Sequence, residues 1–323
     1  MKTLVIAGFC SLILTLVSGK ILIPLLKKIK AGQTVLKYVE NHKSKNGTPT
    51  MGGLFFVLSA SIIFLLFGGY NGRIAIVSLS IGLAFLVVGF IDDFIKIHFR
   101  QNEGLKAYQK IIFQLSISLV AGVFAFRNSI TQFNLPFCDV VIDLGWWTIP
   151  IVSIIFIAIT NSVNLTDGLD GLAGSVSAVY LLSILIIITL QTKTSLSVME
   201  KDSVLLLCAC LFGALLGFLF YNTNKASVFM GDTGSLSLGG FLGSISIFTS
   251  NSFFIPVLGI MFVASSISVI MQVLHYKRTK RRIFLMAPLH HHLQLKGHSE
   301  TKITYYYTLI TLVMGSLSVL FLL

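Results

Sequence analysis

The chain has 323 residues, of which 55% are hydrophobic and only 11% charged. A water-soluble fold cannot hide so much apolar surface, so the composition excludes a soluble globular protein and points to an all-α polytopic membrane protein. The net charge of +12 favours anionic partners, and no hydrophilic block is long enough for a second domain, so residues 1–323 read as one integral domain.

Ten apolar spans follow in order, near 4–26, 53–68, 74–97, 108–126, 147–164, 170–190, 204–221, 234–249, 254–275 and 305–323. Each is close to the ~20 residues with which a helix crosses a bilayer. The first begins like a signal peptide, but Leu16-Val-Ser-Gly-Lys20 lacks a good small-x-small cleavage site, so it is expected to be a retained helix. Before the second span stands Gly47-Thr-Pro-Thr50-Met-Gly-Gly53, behind Lys43 and Lys45. Its glycines and hydroxyls suit an approaching anion, and they are also ordinary helix-start punctuation.

The third span ends in Asp92-Asp93-Phe-Ile-Lys96. Acids at a helix C-terminus oppose the macrodipole, so they are expected to serve a site. Neighbouring helix positions point about 100° apart, so only one of the pair is expected to face it, the other orienting a lysine or a helix end. Lys110 opens the fourth span. In the loop 127–146, Thr131–Phe137 and Val140–Leu144 predict the short strands of a small outer hairpin. Cys10, Cys138, Cys208 and Cys210 read as packing residues, with neither a disulfide framework nor a zinc site.

The fifth span runs into Asn161-Ser-Val-Asn164-Leu-Thr-Asp167-Gly168-Leu-Asp170-Gly171-Leu172, and the sixth begins at once. Asn161, Asn164, Asp167 and Asp170 are three apart, a spacing that puts neighbours on adjoining turns. Ionisable groups at the end of a membrane helix are costly unless they meet water, a cation or a partner. Phe229-Met-Gly231-Asp232-Thr-Gly-Ser235 precedes the eighth span and presents an acid on a tight turn near a helix N-terminus, where backbone N–H groups can face a phosphate. Asp232 is the best single metal candidate, because Mg²⁺ is held by one or two carboxylates plus substrate phosphates. After the ninth span come the basic run Lys277–Arg282, which suits either a phosphate or a membrane surface, and Ala287-Pro-Leu-His290-His291-His292. Consecutive histidines cannot share a helical face, so a zinc triad made by these alone is not expected, and His290 is the one expected to reach the site.

An even number of spans places both termini on one side. Eighteen Lys and Arg fall in or beside the loops of one set and five in the other, with Lys20 inside the first span. By the positive-inside rule the richer set is cytoplasmic and both termini face out. Every polar cluster described above lies on that cytoplasmic side. A transporter should instead show polar residues or broken helices in mid-span, so an enzyme working at the cytoplasmic interface is favoured over a cation-coupled transporter.

Asp92-Asp93, Asn161–Leu172, the Gly231-Asp232-Thr-Gly-Ser loop and the ten-span layout together resemble the polyprenyl-phosphate N-acetylhexosamine-1-phosphate transferases. Gly47–Gly53 and Ala287–His292 narrow the resemblance to the branch that transfers phospho-N-acetylmuramoyl-pentapeptide, rather than the sister branch that transfers GlcNAc-1-phosphate. The resemblance covers the whole chain. It implies a Mg²⁺-dependent transfer from UDP-N-acetylmuramoyl-pentapeptide to undecaprenyl phosphate, giving lipid I and UMP at the cytoplasmic membrane for peptidoglycan. It also implies that Asp232 ligates Mg²⁺, with Asp167 a second candidate ligand, and that Asp92 and Asp93 act as base or nucleophile. Asn164, Asp167 and Phe229 would lie around the uridine diphosphate, with Lys45, Thr50, Gln272 and His290 lining the same pocket. Lys96, Lys110, Asp170, Gly231, His291 and His292 complete the expected substrate-binding set. A homodimer in the lipid bilayer is implied, and nucleic acid is not expected as a partner.

Overall fold

The computed structural model describes residues 1–28, 47–99, 101, 103–138, 140–191 and 196–323. They form helices α1 (Lys2–Lys28), α2 (Gly53–Leu66), α3 (Arg73–His98), α4 (Ala107–Arg127), α5 (Thr148–Thr166), α6 (Leu172–Leu190), α7 (Val198–Asn222), α8 (Gly231–Phe248), α9 (Ile255–Leu258), α10 (Ile260–Thr279), α11 (Leu289–Leu295) and α12 (Glu300–Leu320). Helices satisfy their backbone groups internally, which is what a chain needs to cross hydrocarbon. Among the described residues, eight helices are long and apolar enough to span a membrane. Two of the predicted spans fall outside that set. One is α2, with 14 residues; the other is α8, with 18 residues, many of them Gly, Ser or Thr.

Those small residues make α8 the buried axis of the bundle. Every residue from Thr233 to Phe248 is buried. Helix α3 lies along one side of α8, and α2, α5 and α6 also pack against it. Gly89 of α3 lies so close to α8 that a Cβ there would strike the Asp232 carbonyl. Between membrane helices, close approach through small residues supplies the packing that hydrophobicity alone cannot. The Ser237 hydroxyl adds a bond to the Gly82 carbonyl at 2.9 Å. Outside this axis, α1 lies on α7 and α2, α4 on α5, and α12 on α6.

Several boundaries differ from the apolar runs. Helices α7 and α12 start earlier than predicted, because Ser197 and Ser299 cap polar first turns by accepting from the N–H groups of Glu200 (3.2 Å) and Lys302 (3.4 Å). Hydropathy sees only the hydrocarbon-facing part of such a helix. The ninth predicted span is broken: Pro256 sits in the first turn of α9, and the chain turns at Gly259 before α10 runs on to Thr279. The predicted hairpin is present, with β1 (Gln132–Asn134) antiparallel to β2 (Val141–Asp143) and Phe133 opposite Ile142. Its strands are shorter than expected. Past Asn134 one more cross-strand bond forms, Leu135 N–H to the Val140 carbonyl (3.0 Å), before Pro136, which has no N–H to donate; the Asn134 N–H bonds the Ser250 carbonyl (2.8 Å). At the other end of the bundle, the N-termini of α2, α4, α6 and α8 meet the C-termini of α3, α5 and α7.

Candidate active site

Two loops build the floor of this end. Phe229 N–H bonds the Pro49 carbonyl (2.8 Å), and the N–H groups of Gly52 and Gly53 bond the carbonyls of Phe229 (2.9 Å) and Met230 (3.0 Å). The stretch 47–53 is therefore laid against the turn that opens α8. Buried Asn222 accepts from Gly171 N–H (3.1 Å) and donates to the Val228 carbonyl (2.9 Å). Buried Asp170 accepts from Ala226 N–H (3.1 Å). Together they tie the loop after α5 to the loop before α8, so Asp170 acts as a brace between them.

Helix α8 opens at Gly231, whose φ of +73° suits glycine. A Cβ there would run into the Asp93 carboxylate and the Thr50 hydroxyl. Asp93 Oδ1 accepts from Asp232 N–H (3.2 Å), and Oδ2 accepts from both the N–H (3.0 Å) and the hydroxyl (2.7 Å) of Thr233. An acid carried by α3 thus caps α8, where the helix field favours negative charge. That resolves why it stands against the field of its own helix.

Asp92, also fully buried, turns the other way. Its Oδ1 accepts from Leu105 N–H (2.8 Å), and its carboxylate pairs with Lys96 (2.6 Å) and Lys110 (3.2 Å). Asp232 Oδ2 meets the same ammonium groups, Lys96 at 3.2 Å and Lys110 at 2.5 Å. Asp232 Oδ1 accepts from the Asn164 amide (2.8 Å), which also donates to Ser235 Oγ (2.9 Å). Oxygens of Asp92, Asp93 and Asp232 all lie within 4.8 Å of one another. The two neighbours thus take different partners, Asp93 the end of α8 and Asp92 the lysines, while an oxygen of each stays within reach of Asp232. The site wraps around the end of α3, with α8 on one side and the lysines on the other.

Asp167, at the end of α5, is half-buried. Burial, then the charges of Asp232, Asp93 and Asp170, pushes its carboxyl up to about 8. It feels the cluster without belonging to the three acids whose oxygens meet. Phe229 is half-buried and Thr50 fully buried; the Thr50 hydroxyl has no hydrogen-bond partner. Gln272 accepts from the N–H groups of Ile283 (3.1 Å) and Phe284 (3.0 Å) and donates to the Phe284 carbonyl (3.1 Å), so it clamps the connection from α10 to α11.

The histidines separate as their spacing requires. His290 is fully buried, its ring nitrogens have no partner, and a Cβ on Gly168 would collide with its Nε2. Burial, followed by His291, pulls its pKa down to about 3, so it is neutral. His291 Nδ1 pairs with Gln294 (3.2 Å), and His292 Nδ1 accepts from Leu285 N–H (3.1 Å). Lys45 lies outside the described residues. Thr233, Ser235 and Asn222 were not singled out from the sequence; the first two stood inside the Gly231–Ser235 motif, and Asn222 closed an apolar run. The donor set is carboxylate oxygen with a buried hydroxyl nearby and no His or Cys among its acids, which suits a hard divalent cation such as Mg²⁺.

Residues 74–250 match the family model for glycosyl transferase family 4, and residues 45–57 match phospho-N-acetylmuramoyl-pentapeptide-transferase signature 1. The chain is 39% identical over 319 residues to the phospho-N-acetylmuramoyl-pentapeptide-transferase of Thermoanaerobacter sp. (strain X514), covering 98% of each. It is 38% identical over 311 residues to the protein of that name from Clostridioides difficile (strain 630), covering 95% of this chain and 94% of the relative. For the Clostridium botulinum (strain Alaska E43 / Type E3) protein of that name the identity is 40% over 304 residues, covering 93% of this chain and 90% of the relative.

Proposed function

The chain belongs to the phospho-N-acetylmuramoyl-pentapeptide transferases of glycosyl transferase family 4, and we propose from this that it makes lipid I. It moves phospho-N-acetylmuramoyl-pentapeptide from the UDP-linked precursor to undecaprenyl phosphate and releases UMP. A lipid phosphate oxygen attacks the sugar-bearing phosphorus, the bond to the bridging oxygen breaks, and UMP leaves with the electron pair. In this reading α2 and α8 also traverse the membrane, giving ten spans, outward termini, a cytoplasmic site and a homodimer.

The meeting of Asp92, Asp93 and Asp232 with Lys96 and Lys110 carries the proposal. The lysines supply the positive charge that two phosphate-bearing substrates need to approach one another. Asp93 is a positioning residue that fixes the first turn of α8, and with it Asp232. Asp92 is the acid left to take a proton from the lipid phosphate, a modest demand because the second pKa of a phosphate monoester is about 6. Asn164 holds Asp232 in place. Asp167, neutral near pH 7, donates a hydrogen bond to the nucleotide beside Phe229, with Thr50 on the same wall. Gln272 and the His290–His292 turn shape the sugar-peptide side, His290 by bracing Gly168. Asp232 would hold Mg²⁺, with Asp167 behind it, and the bound ion would supply charge neutralisation for the diphosphate.

The deciding experiment is UMP release from UDP-N-acetylmuramoyl-pentapeptide and from UDP-GlcNAc, each with undecaprenyl phosphate and purified protein. Release from the first alone is expected. Efficient use of UDP-GlcNAc would move the chain to the sister activity, and no release from either would overturn the transferase reading.

A further inference from the structure

The carboxylate oxygens that a cation would need already have partners. Asp92 Oδ2 lies 2.6 Å from Lys96 Nζ, and Asp92 Oδ1 lies 3.2 Å from Lys110 Nζ. Asp232 Oδ2 lies 3.2 Å from Lys96 Nζ and 2.5 Å from Lys110 Nζ. Asp232 Oδ1 holds Asn164, and both Asp93 oxygens hold the start of α8. Asp232 Oδ2 already accepts from two ammonium groups, one for each lone pair, so an ion bonding that oxygen directly at about 2.0–2.1 Å must displace one of them. An ion and the full set of lysine contacts therefore exclude one another.

The two lysines are not equivalent. Lys96 is one turn beyond Asp92 on the same helix, 15% exposed, and also 3.9 Å from Asp93. Lys110 comes from α4, is 23% exposed, and among the described residues pairs with Asp92 and Asp232, two of the three acids that could hold an ion. Its flexible four-carbon stem lets the charge swing away without moving a helix. A second feature points to a ligand here: the buried Thr50 hydroxyl has no hydrogen-bond partner and, like the Asp93 carboxylate, borders the space that a Cβ on Gly231 would fill.

We propose that Lys110 is a resident counter-cation, which neutralises Asp92 and Asp232 until a divalent cation displaces it and then turns to the phosphates. Its second half rests on the transferase reading; the exchange with the cation does not. The site is thus kept from standing as an uncompensated cluster of buried acids, and the charge released by metal binding is delivered where the substrates arrive.

The first test uses the wild-type protein without substrate. Trace acetylation with acetic anhydride, read by mass spectrometry, should rise several-fold at Lys110 when Mg²⁺ is added and stay level at Lys302. No change at Lys110, or a rise at Lys96 in its place, overturns the proposal. The second test measures Mn²⁺ binding by electron paramagnetic resonance. Lys110→Met should bind at least about tenfold more tightly, the scale of one charge contact removed from the site, whereas Lys110→Arg should stay near wild type. An unchanged or weaker Kd in a Lys110→Met protein that keeps its thermal unfolding transition overturns the proposal. Failure of the transferase reading would appear separately, as absent UMP release from protein whose labelling still responds to Mg²⁺.

Discussion

Asp92 and Asp93 are adjacent in the chain but meet different partners, and substitution should separate them. Asp92→Asn leaves the α8 cap untouched, so the unfolding temperature should hold while UMP release falls by about 10²-fold or more, the usual cost of one lost transition-state contact. Asp93→Asn replaces one accepting oxygen with an amide that faces the N–H groups of α8. It should cost about 1–3 kcal/mol of stability as well as activity; thermal unfolding in detergent measures the difference. Asp167 makes a pH prediction. Its carboxyl is raised from an ordinary value of 3.8 to about 8, so the folded protein binds a proton there more strongly than the unfolded chain. The neutral form is stable below pH 4, and stability is lost as pH rises through about 8. Asp167→Asn should remove that part of the slope, gaining on wild type in unfolding temperature at pH 9 but not at pH 5. Substrate KM should rise through the same window in wild type and stay flat in the variant.

At the scale of elements, α8 does the most organising. It carries Asp232 at its start, its cap comes from α3, and small residues hold the two helices in contact. Gly89→Leu would push α3 from α8 and so separate Asp92 and Asp93 from Asp232. The expected outcome is nearly complete loss of UMP release, with a stability cost of about 1–3 kcal/mol from overpacking and unchanged helix content by circular dichroism. Retained turnover would show that the spacing of the two helices does not set the site. The connection from α10 to α11 is a separate unit: Gln272 holds residues 283–284, His292 holds Leu285, and His290 rests on Gly168.

For the whole molecule, the excess of Lys and Arg on one set of loops predicts the orientation, and the chain carries its own reporter. Cys138 is exposed in the hairpin loop, at the end of the bundle opposite the acid cluster. A membrane-impermeant maleimide should label Cys138 in intact cells. In a Cys138→Ser background, Lys225→Cys should be labelled only after permeabilisation. The reverse pattern would turn the acid cluster outward and remove its access to a cytoplasmic nucleotide sugar.

What the sequence determined by itself was the class, eight of the ten expected membrane helices, the hairpin and the residue types that gather at the candidate site. Apolar runs near bilayer length and sparse acids at their ends are local properties, and lipid leaves a chain few ways to satisfy them. The motifs Asp92-Asp93, Asn164–Asp170 and Gly231–Ser235 were visible for the same reason: each is a cluster of polar residues where an apolar run stops. Tertiary structure decided which acid does what. Asp93 became a cap, Asp170 a brace and Gln272 a clamp, because the N–H and carbonyl groups they satisfy belong to segments far away in the chain. Spacing alone puts Lys96 one helical turn from Asp92, but tertiary structure decided that Lys110 of α4 sits on the acids of α3 and α8 rather than in solvent. Charge pairing across helices depends on packing distance, and no spacing along one strand of sequence records it.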